Sequence, residues 1–114
     1  MAPQQTYLTP NEKRAIAEIR QGVARLVGKR LKRYTVFGSK ARGDFDPESD
    51  VDLAVVVDGL DGAVKRRIID LVTASEMRHL VVVSSLVLSW KDFVDLRRRE
   101  RRIVLDIETE GIPA

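Results

Sequence analysis

The chain has 114 residues and a mass of 12.9 kDa, which is the size of one compact domain. Hydrophobic residues make up 44% of it and aromatic residues only 5%, so we expect a core of mainly aliphatic side chains. The absence of cysteine and the single histidine exclude disulfides, thiolate zinc sites, a cysteine nucleophile and a multi-histidine metal site. Any bound metal must be ligated by the 17 acidic residues, whose oxygens suit a hard cation such as magnesium.

Hydropathy and charge indicate a cytoplasmic protein without a membrane segment. The first ten residues contain neither the basic nor the apolar region of a secretory signal. The longest uncharged stretch, Leu80 to Trp90, has eleven residues, fewer than the ~18 that span a bilayer. The net charge of +3 and the isoelectric point of about 9.5 favour anionic partners only weakly, so they do not indicate a nucleic-acid-binding protein.

The first predicted element is an amphipathic helix. Thr9 is a typical N-cap, Pro10 suits the first helical position, and Glu12 is placed to close a capping box. Apolar residues then recur at helical spacing. We therefore predict a helix from about Pro10 to Val27 that ends near Gly28.

Two strands follow. Leu31 to Phe37 is predicted to be the first, and Gly38 ends it abruptly. After a loop with an Asp46-Pro47 turn, Val51 to Val57 is a strand that becomes wholly apolar, which is typical of a strand running from a site into a core.

Helical spacing returns from Ala63 to His79, and a third strand, Leu80 to Leu88, is predicted directly after it. Ser89 to Asp92 resembles a capping box that begins another helix, and a last helical segment ends near Gly111. Because helices and strands interleave in the order α, β, β, α, β, α, α, we predict one α/β domain over residues 1–114, with helices covering a small mixed sheet.

The most informative stretch is Gly38-Ser39-Lys40-Ala41-Arg42-Gly43. Gly38 allows a sharp turn after a strand and a close approach of the backbone to a ligand. The following residues can begin a short helix, whose first N–H groups favour phosphate, and Ser39 adds a hydroxyl donor. Lys40 and Arg42 add positive charge, so we predict a phosphate-binding turn.

Asp50 and Asp52 form the second candidate group. One residue separates them in a predicted strand, so their carboxylates project from one face while Val51 and Leu53 project from the other. Such a pair repels unless a cation lies between the two groups. A divalent ion shared with a triphosphate would offset the repulsion, so the pattern suits phosphoryl or nucleotidyl transfer.

The order Gly-Ser-x-Ala-Arg-Gly and then Ser-Asp-x-Asp-Leu resembles the signature of minimal nucleotidyltransferases of the DNA polymerase β superfamily. This group includes antitoxin partners of HEPN-domain toxins. The resemblance covers most of the chain and extends to the stretch Leu86 to Ser89 before a helix and to the closing Glu110-Gly111-Ile112.

The resemblance implies the palm-like fold of DNA polymerase β and a nucleotide site at Gly38 and Ser39, where Lys40 and Arg42 add charge. It also implies that Asp50 and Asp52, here called the aspartate pair, are catalytic and bind magnesium. The implied reaction transfers a nucleoside monophosphate from ATP, or from another nucleoside triphosphate, to an acceptor hydroxyl with loss of pyrophosphate.

One feature departs from the family pattern. The family's usual third carboxylate lies on the next core strand, which contains no acidic residue here and places Ser84 or Ser85 in that neighbourhood. A general base is typically worth ~10² to 10⁴ in rate, whereas phosphoryl transfer depends largely on positioning and electrostatics. The third acid could instead come from Asp70, Glu76 or Asp92, or from a partner chain.

Three functions remain open at this stage. The first is transfer of AMP from ATP to a hydroxyl of a protein partner, or alternatively of RNA. The second is a catalytically weak or inactive nucleotide-binding antitoxin that neutralises a HEPN-like toxin by contact. The third is nucleic-acid binding through the arginine run Arg97 to Arg102, for which the small net charge gives least support. An oligomer is compatible with all three.

Other residues have structural interpretations beside the functional ones. Arg42 either binds phosphate or braces the loop through Asp44 or Glu48, and Asp44 itself is interpreted as a turn residue. His79 is expected to be a junction residue. Trp90 is interpreted as a core or interface anchor, with nucleotide stacking as the alternative, and the arginine run is interpreted as a solvated helix face.

Overall fold

The computed structural model describes residues 7–43 and 49–114. Its strands are β1 (Leu31–Phe37), β2 (Val51–Val57), β3 (Val83–Ser89) and β4 (Ile112–Pro113), and its helices are α1 (Pro10–Val27), α2 (Ser39–Arg42), α3 (Gly62–His79), α4 (Trp90–Arg98) and α5 (Arg102–Glu110), with a 3₁₀ turn at Gly28–Arg30. The strands form one mixed sheet in the order β3-β2-β1-β4. The predicted α/β class and the mixed sheet covered by helices are therefore confirmed.

The capping box predicted at Thr9 is complete, and at Ser89 the structure shows the hydroxyl cap without the reciprocal bond. The Thr9 hydroxyl accepts the Glu12 N–H at 3.1 Å, and the Glu12 carboxylate accepts the Thr9 N–H at 2.9 Å. Gly28 ends α1 with a φ of +56°, a region that favours glycine. At α4, the Ser89 hydroxyl accepts the N–H of Asp92 at 3.0 Å. No helix in the described part of the chain is long and apolar enough to cross a membrane.

Strand β2 forms the centre of the sheet and runs antiparallel to β1 and parallel to β3. The crossover from β2 to β3 is α3, as expected for a parallel pair. Every residue of β2 is buried except Asp52, which is half-buried.

The two faces of β2 pack against different helices. Leu53 and its neighbours at alternate positions join residues of α1 and α3, including Ile19 and Ile68, in the larger core cluster. Ala54 and Val56 face the other way and pack with Phe93 of α4 and with Val104 and Ile107 of α5. The sheet therefore lies between two helical layers, and both contribute to the core.

The third strand begins later than predicted, at Val83 rather than at Leu80. Leu80 has a φ of +55°, and its N–H donates to the carbonyl of Glu76, so this residue caps α3. The N–H of Val81 also donates to that carbonyl, at 3.2 Å. The apolar residues at this junction thus end a helix before the strand starts.

Strand β4 was not predicted, because Pro113 was interpreted only as a residue beyond the end of a helix. It spans two residues and pairs antiparallel with Thr35 and Val36 of β1. A proline is tolerated there because β4 lies at the edge of the sheet. Two residues are too few to produce a strand pattern in the sequence.

The arginine run forms the corner between α4 and α5 rather than one helix face. Glu100 has a φ of +54° and separates the two helices. Three of the five arginines pair with acidic side chains: Arg97 with Glu108 at 3.2 Å, Arg99 with Asp95 at 3.4 Å and Arg102 with Asp106 at 3.9 Å. These pairs offset part of the positive charge that a polyanion would meet.

We predict that Leu53→Ala lowers the free energy of unfolding by about 2–5 kcal/mol, because it leaves a cavity in the core between β2 and the helices. Leu80→Ala is the matched control, since the Leu80 side chain is 87% exposed, and its effect is expected to stay within about 0.5 kcal/mol. Urea unfolding measures both. Equal losses would contradict the central position of β2.

Candidate active site

The predicted phosphate-binding turn follows β1 directly. Gly38 has a φ of +71°, and its carbonyl accepts the N–H groups of Ala41 and Arg42 at 3.1 Å each. The N–H of Gly43, whose φ is +89°, donates to the carbonyl of Ser39 at 2.8 Å. The two glycines thus bracket the single turn of helix α2, and Ser39 is half-buried at its start.

The turn and the aspartate pair meet at Gly38. In the antiparallel register Phe37 lies opposite Asp52, so the next residue of the chain lies against the Asp52 carboxylate. A Cβ atom at Gly38 would collide with Oδ2 of Asp52. Only glycine therefore fits here, both for its positive φ and for the space.

The aspartate pair has the expected electrostatic character. Burial raises the pKa of the Asp52 carboxyl above its ordinary value, the negative charge of Asp50 raises that pKa further, and the charge of Arg42 opposes both effects. Asp50 precedes β2 and is exposed. Asp52 is thus subject to repulsion by Asp50, which the spacing of the pair led us to expect, and to attraction by Arg42, which it did not.

Lys40 does not face this site. Its ammonium is buried and donates to Oε1 of Glu12 at 3.2 Å, at the start of α1. This placement gives Lys40 a structural role beside the predicted one as a nucleotide ligand. The sequence contained no signal for the ion pair, because 28 residues separate its members and Glu12 already had a role in the capping box.

Arg42 has a partner that the sequence did not indicate. Its guanidinium donates to Oε2 of Glu110 at 2.8 Å, which joins α2 to the end of α5. The predicted alternatives, Asp44 and Glu48, lie outside the described residues, as does the Asp46-Pro47 turn. Both side chains of the observed pair are partly exposed, so Arg42 remains accessible to a ligand.

The strand beside the aspartate pair offers a hydroxyl in place of a third acid. Ser84 is the cross-strand neighbour of Asp52 and is exposed, whereas Ser85 lies opposite the buried Leu53. Of the two serines considered from sequence, Ser84 is therefore the one beside Asp52.

None of the three proposed substitute acids completes a metal-binding group. The carboxylate of Glu76 accepts the N–H of Val83 at 2.8 Å, while Asp70 lies on α3 and Asp92 on α4. Among residues 7–43 and 49–114, no three acidic or histidine side chains are grouped in a way that could hold a metal.

The donor set still suits a hard cation in part. Two carboxylates at the start of one strand are the ligands that magnesium commonly takes from protein, with phosphate oxygens and water completing its shell. Asp50 and Asp52 would hold the ion.

His79 and Trp90 both have structural contacts. His79 is half-buried at the end of α3 and interacts with Glu18 through Nε2 at 2.7 Å, in agreement with a junction residue. Trp90 stacks on Phe93 at 5.8 Å and follows Ser89, which pairs with Val57 at the far end of β2. Trp90 is thus a packing residue at the opposite end of the sheet.

Comparison with known proteins identifies the family. Residues 16–106 match the model of the nucleotidyltransferase domain. Two proteins of Methanocaldococcus jannaschii, each named "Putative protein adenylyltransferase", are similar in sequence. One is 30% identical over 63% of this chain and 74% of its own length, and the other is 37% identical over 68% of this chain and 73% of its own.

Two crystal structures share the fold. A toxin-antitoxin with AMP-PNP superposes with a TM-score of 0.53 at 22% identity over 86% of this chain and 70% of that chain. A mutant of the toxin-antitoxin MntA-HpeT gives a TM-score of 0.50 at 20% identity over 84% and 68%. With the family match over most of its length, the chain belongs to the nucleotidyltransferase domain family, and it is a nucleotidyltransferase.

Proposed function

We propose that the protein transfers AMP from ATP to a hydroxyl group of a protein partner, with magnesium bound by Asp50 and Asp52. The observation that carries this proposal is the contact between the Gly38 turn and the Asp52 carboxylate. It brings a phosphate-binding turn and a metal-binding carboxylate to one point, as nucleotidyl transfer requires. The two relatives named as protein adenylyltransferases support AMP and a protein acceptor.

The residues have separate roles in this reaction. Gly38 and Ser39 bind the triphosphate, and Arg42 contributes positive charge beside it. The acceptor oxygen attacks the α-phosphorus of ATP, the bond from that phosphorus to the bridging oxygen breaks, and pyrophosphate leaves while the acceptor proton passes to solvent water. Magnesium, when bound, neutralises phosphate charge and orients the α-phosphate. The aspartate pair would hold the magnesium ion at the start of β2.

We also propose a HEPN-like toxin as the protein partner. Support comes from the two toxin-antitoxin structures that share this fold, one of which is described with AMP-PNP. Asp50 is exposed, so an acceptor can approach it from solvent.

Asp52→Ala is predicted to weaken magnesium-dependent binding of ATP by at least about tenfold, a loss of ~1.4 kcal/mol, because one of two metal-binding carboxylates is removed. Isothermal titration calorimetry with and without magnesium measures it. Asp58→Ala is the control, since Asp58 is an exposed aspartate at the other end of β2, and it should leave binding unchanged. Magnesium-independent binding that Asp52→Ala does not alter would contradict the site.

Gly38→Ala is predicted to weaken nucleotide binding as strongly as Asp52→Ala, because the added Cβ displaces the Asp52 carboxylate. Gly28→Ala is the matched control: Gly28 also has a positive φ, but nothing lies within 4 Å of its Cβ position. Both variants incur backbone strain of about 1–3 kcal/mol in unfolding experiments. Only Gly38→Ala should lose binding, and equal binding by both would refute the Gly38–Asp52 contact.

The second candidate function, a catalytically weak nucleotide-binding antitoxin, is favoured by the exposed Ser84 beside Asp52. If the missing acid limits the rate, Ser84→Asp should increase adenylylation of the partner by up to about 10²-fold, the lower range for a general base. Ser84→Asn controls for side-chain size without the charge. Intact-mass measurement of the partner after incubation with ATP and magnesium reports the product. No gain in Ser84→Asp would mean that another group supplies the base.

A further inference from the structure

A buried ion pair attaches the phosphate-binding turn to the first turn of α1. The ammonium of Lys40 lies 3.2 Å from Oε1 of Glu12, and the two side chains are 1% and 9% exposed. The same oxygen of Glu12 accepts the backbone N–H of Thr9 at 2.9 Å. One carboxylate therefore closes the capping box of α1 and binds the buried ammonium of α2.

Tyr7 adds two contacts between the same parts of the chain. Its N–H donates to the carbonyl of Lys40 at 2.9 Å. Its ring lies where a Cβ atom on Gly43 would be, so the ring packs closely on the far end of the turn. Residues 7–12 thus contact α2 at Lys40 and at Gly43.

The turn needs such contacts to keep its conformation. A four-residue helix is far too short to be stable alone, and the glycines at both of its ends increase the freedom of the unbound chain. The pair of Arg42 with Glu110 is partly exposed, and such pairs contribute little. The pair of Lys40 with Glu12 is buried, and separating two buried charges costs more than separating two exposed ones, so this pair restrains the turn more strongly.

We propose that Lys40 and Glu12 are positioning residues for nucleotide binding. Their buried ion pair holds Gly38 and Ser39 in the binding conformation beside Asp52, and neither residue touches the nucleotide. The inference rests on the proposed function, since it names what orders the nucleotide-binding turn of that same site.

The test compares nucleotide affinity in Glu12→Gln and Lys40→Met. Glutamine at position 12 keeps the capping acceptor and removes the charge, and methionine at position 40 keeps the aliphatic chain. Calorimetry uses magnesium with a non-hydrolysable ATP analogue, at a temperature where circular dichroism shows each variant folded. We expect about tenfold weaker binding in both, because the turn must then be ordered during binding.

Glu18→Gln separates positioning from general stability. Glu18 lies on the same helix and also forms partly buried polar contacts, with the Ser75 hydroxyl at 2.8 Å and with His79 at 2.7 Å, but these join α1 to α3. This variant should melt at a lower temperature and bind the analogue with unchanged affinity. An equal loss of affinity in Glu18→Gln would overturn the proposal.

The remaining outcomes are distinct. Unchanged affinity in folded Glu12→Gln and Lys40→Met, with binding by the unmodified chain, overturns this inference alone. If Lys40→Met does not fold, Glu12→Gln decides by itself. Failure of the unmodified chain to bind the analogue overturns the proposed function, and this inference with it.

Discussion

Burial of β2 on both faces is the constraint on which the rest of the structure depends. A strand covered on both sides must have apolar residues at every position within the layers, and the six hydrophobic residues of β2 are buried. Its one polar residue, Asp52, lies near the start of the strand, on the face that α4 and α5 cover farther along. The same strand therefore forms the centre of the core and carries a functional carboxylate at its start.

The charges around the site are of two kinds. The pair of Arg42 with Glu110 is partly exposed, so Arg42 can exchange this partner for a phosphate at little cost. The pair of Lys40 with Glu12 is buried, so removing one member disturbs the structure more than removing one member of an exposed pair. Two basic residues of one short motif thus have different tasks, which their burial distinguishes and their spacing in the sequence does not.

Sequence alone predicted those features that depend on local chemistry. The capping box of Thr9 with Glu12, the two-sided burial of β2 and the cap at Ser89 each follow from residues close together in the chain. Local patterns could not reveal two ion pairs, that of Lys40 with Glu12 and that of Arg42 with Glu110, because only tertiary packing brings these residues together. The start of β3 at Val83 was also missed. The apolar residues 80–82 are compatible both with the end of a helix and with a strand, so their pattern does not distinguish the two.

The end of α5 lies beside the candidate site, where Glu110 pairs with Arg42. Asp52 shares its strand face with Ala54 and Val56, which are covered by α4 and α5. The helix ends at Glu110, and a Cβ atom on Gly111 would collide with the Ile107 carbonyl and the Thr35 side chain.

Glycine at this position lets the chain leave the helix in close contact with β1 and pair with it as β4. The last acidic residue of α5 then lies beside Arg42 rather than over the aspartates. Strand β4, which the sequence did not reveal, is thus the element with which the helical layer of α4 and α5 ends beside the site.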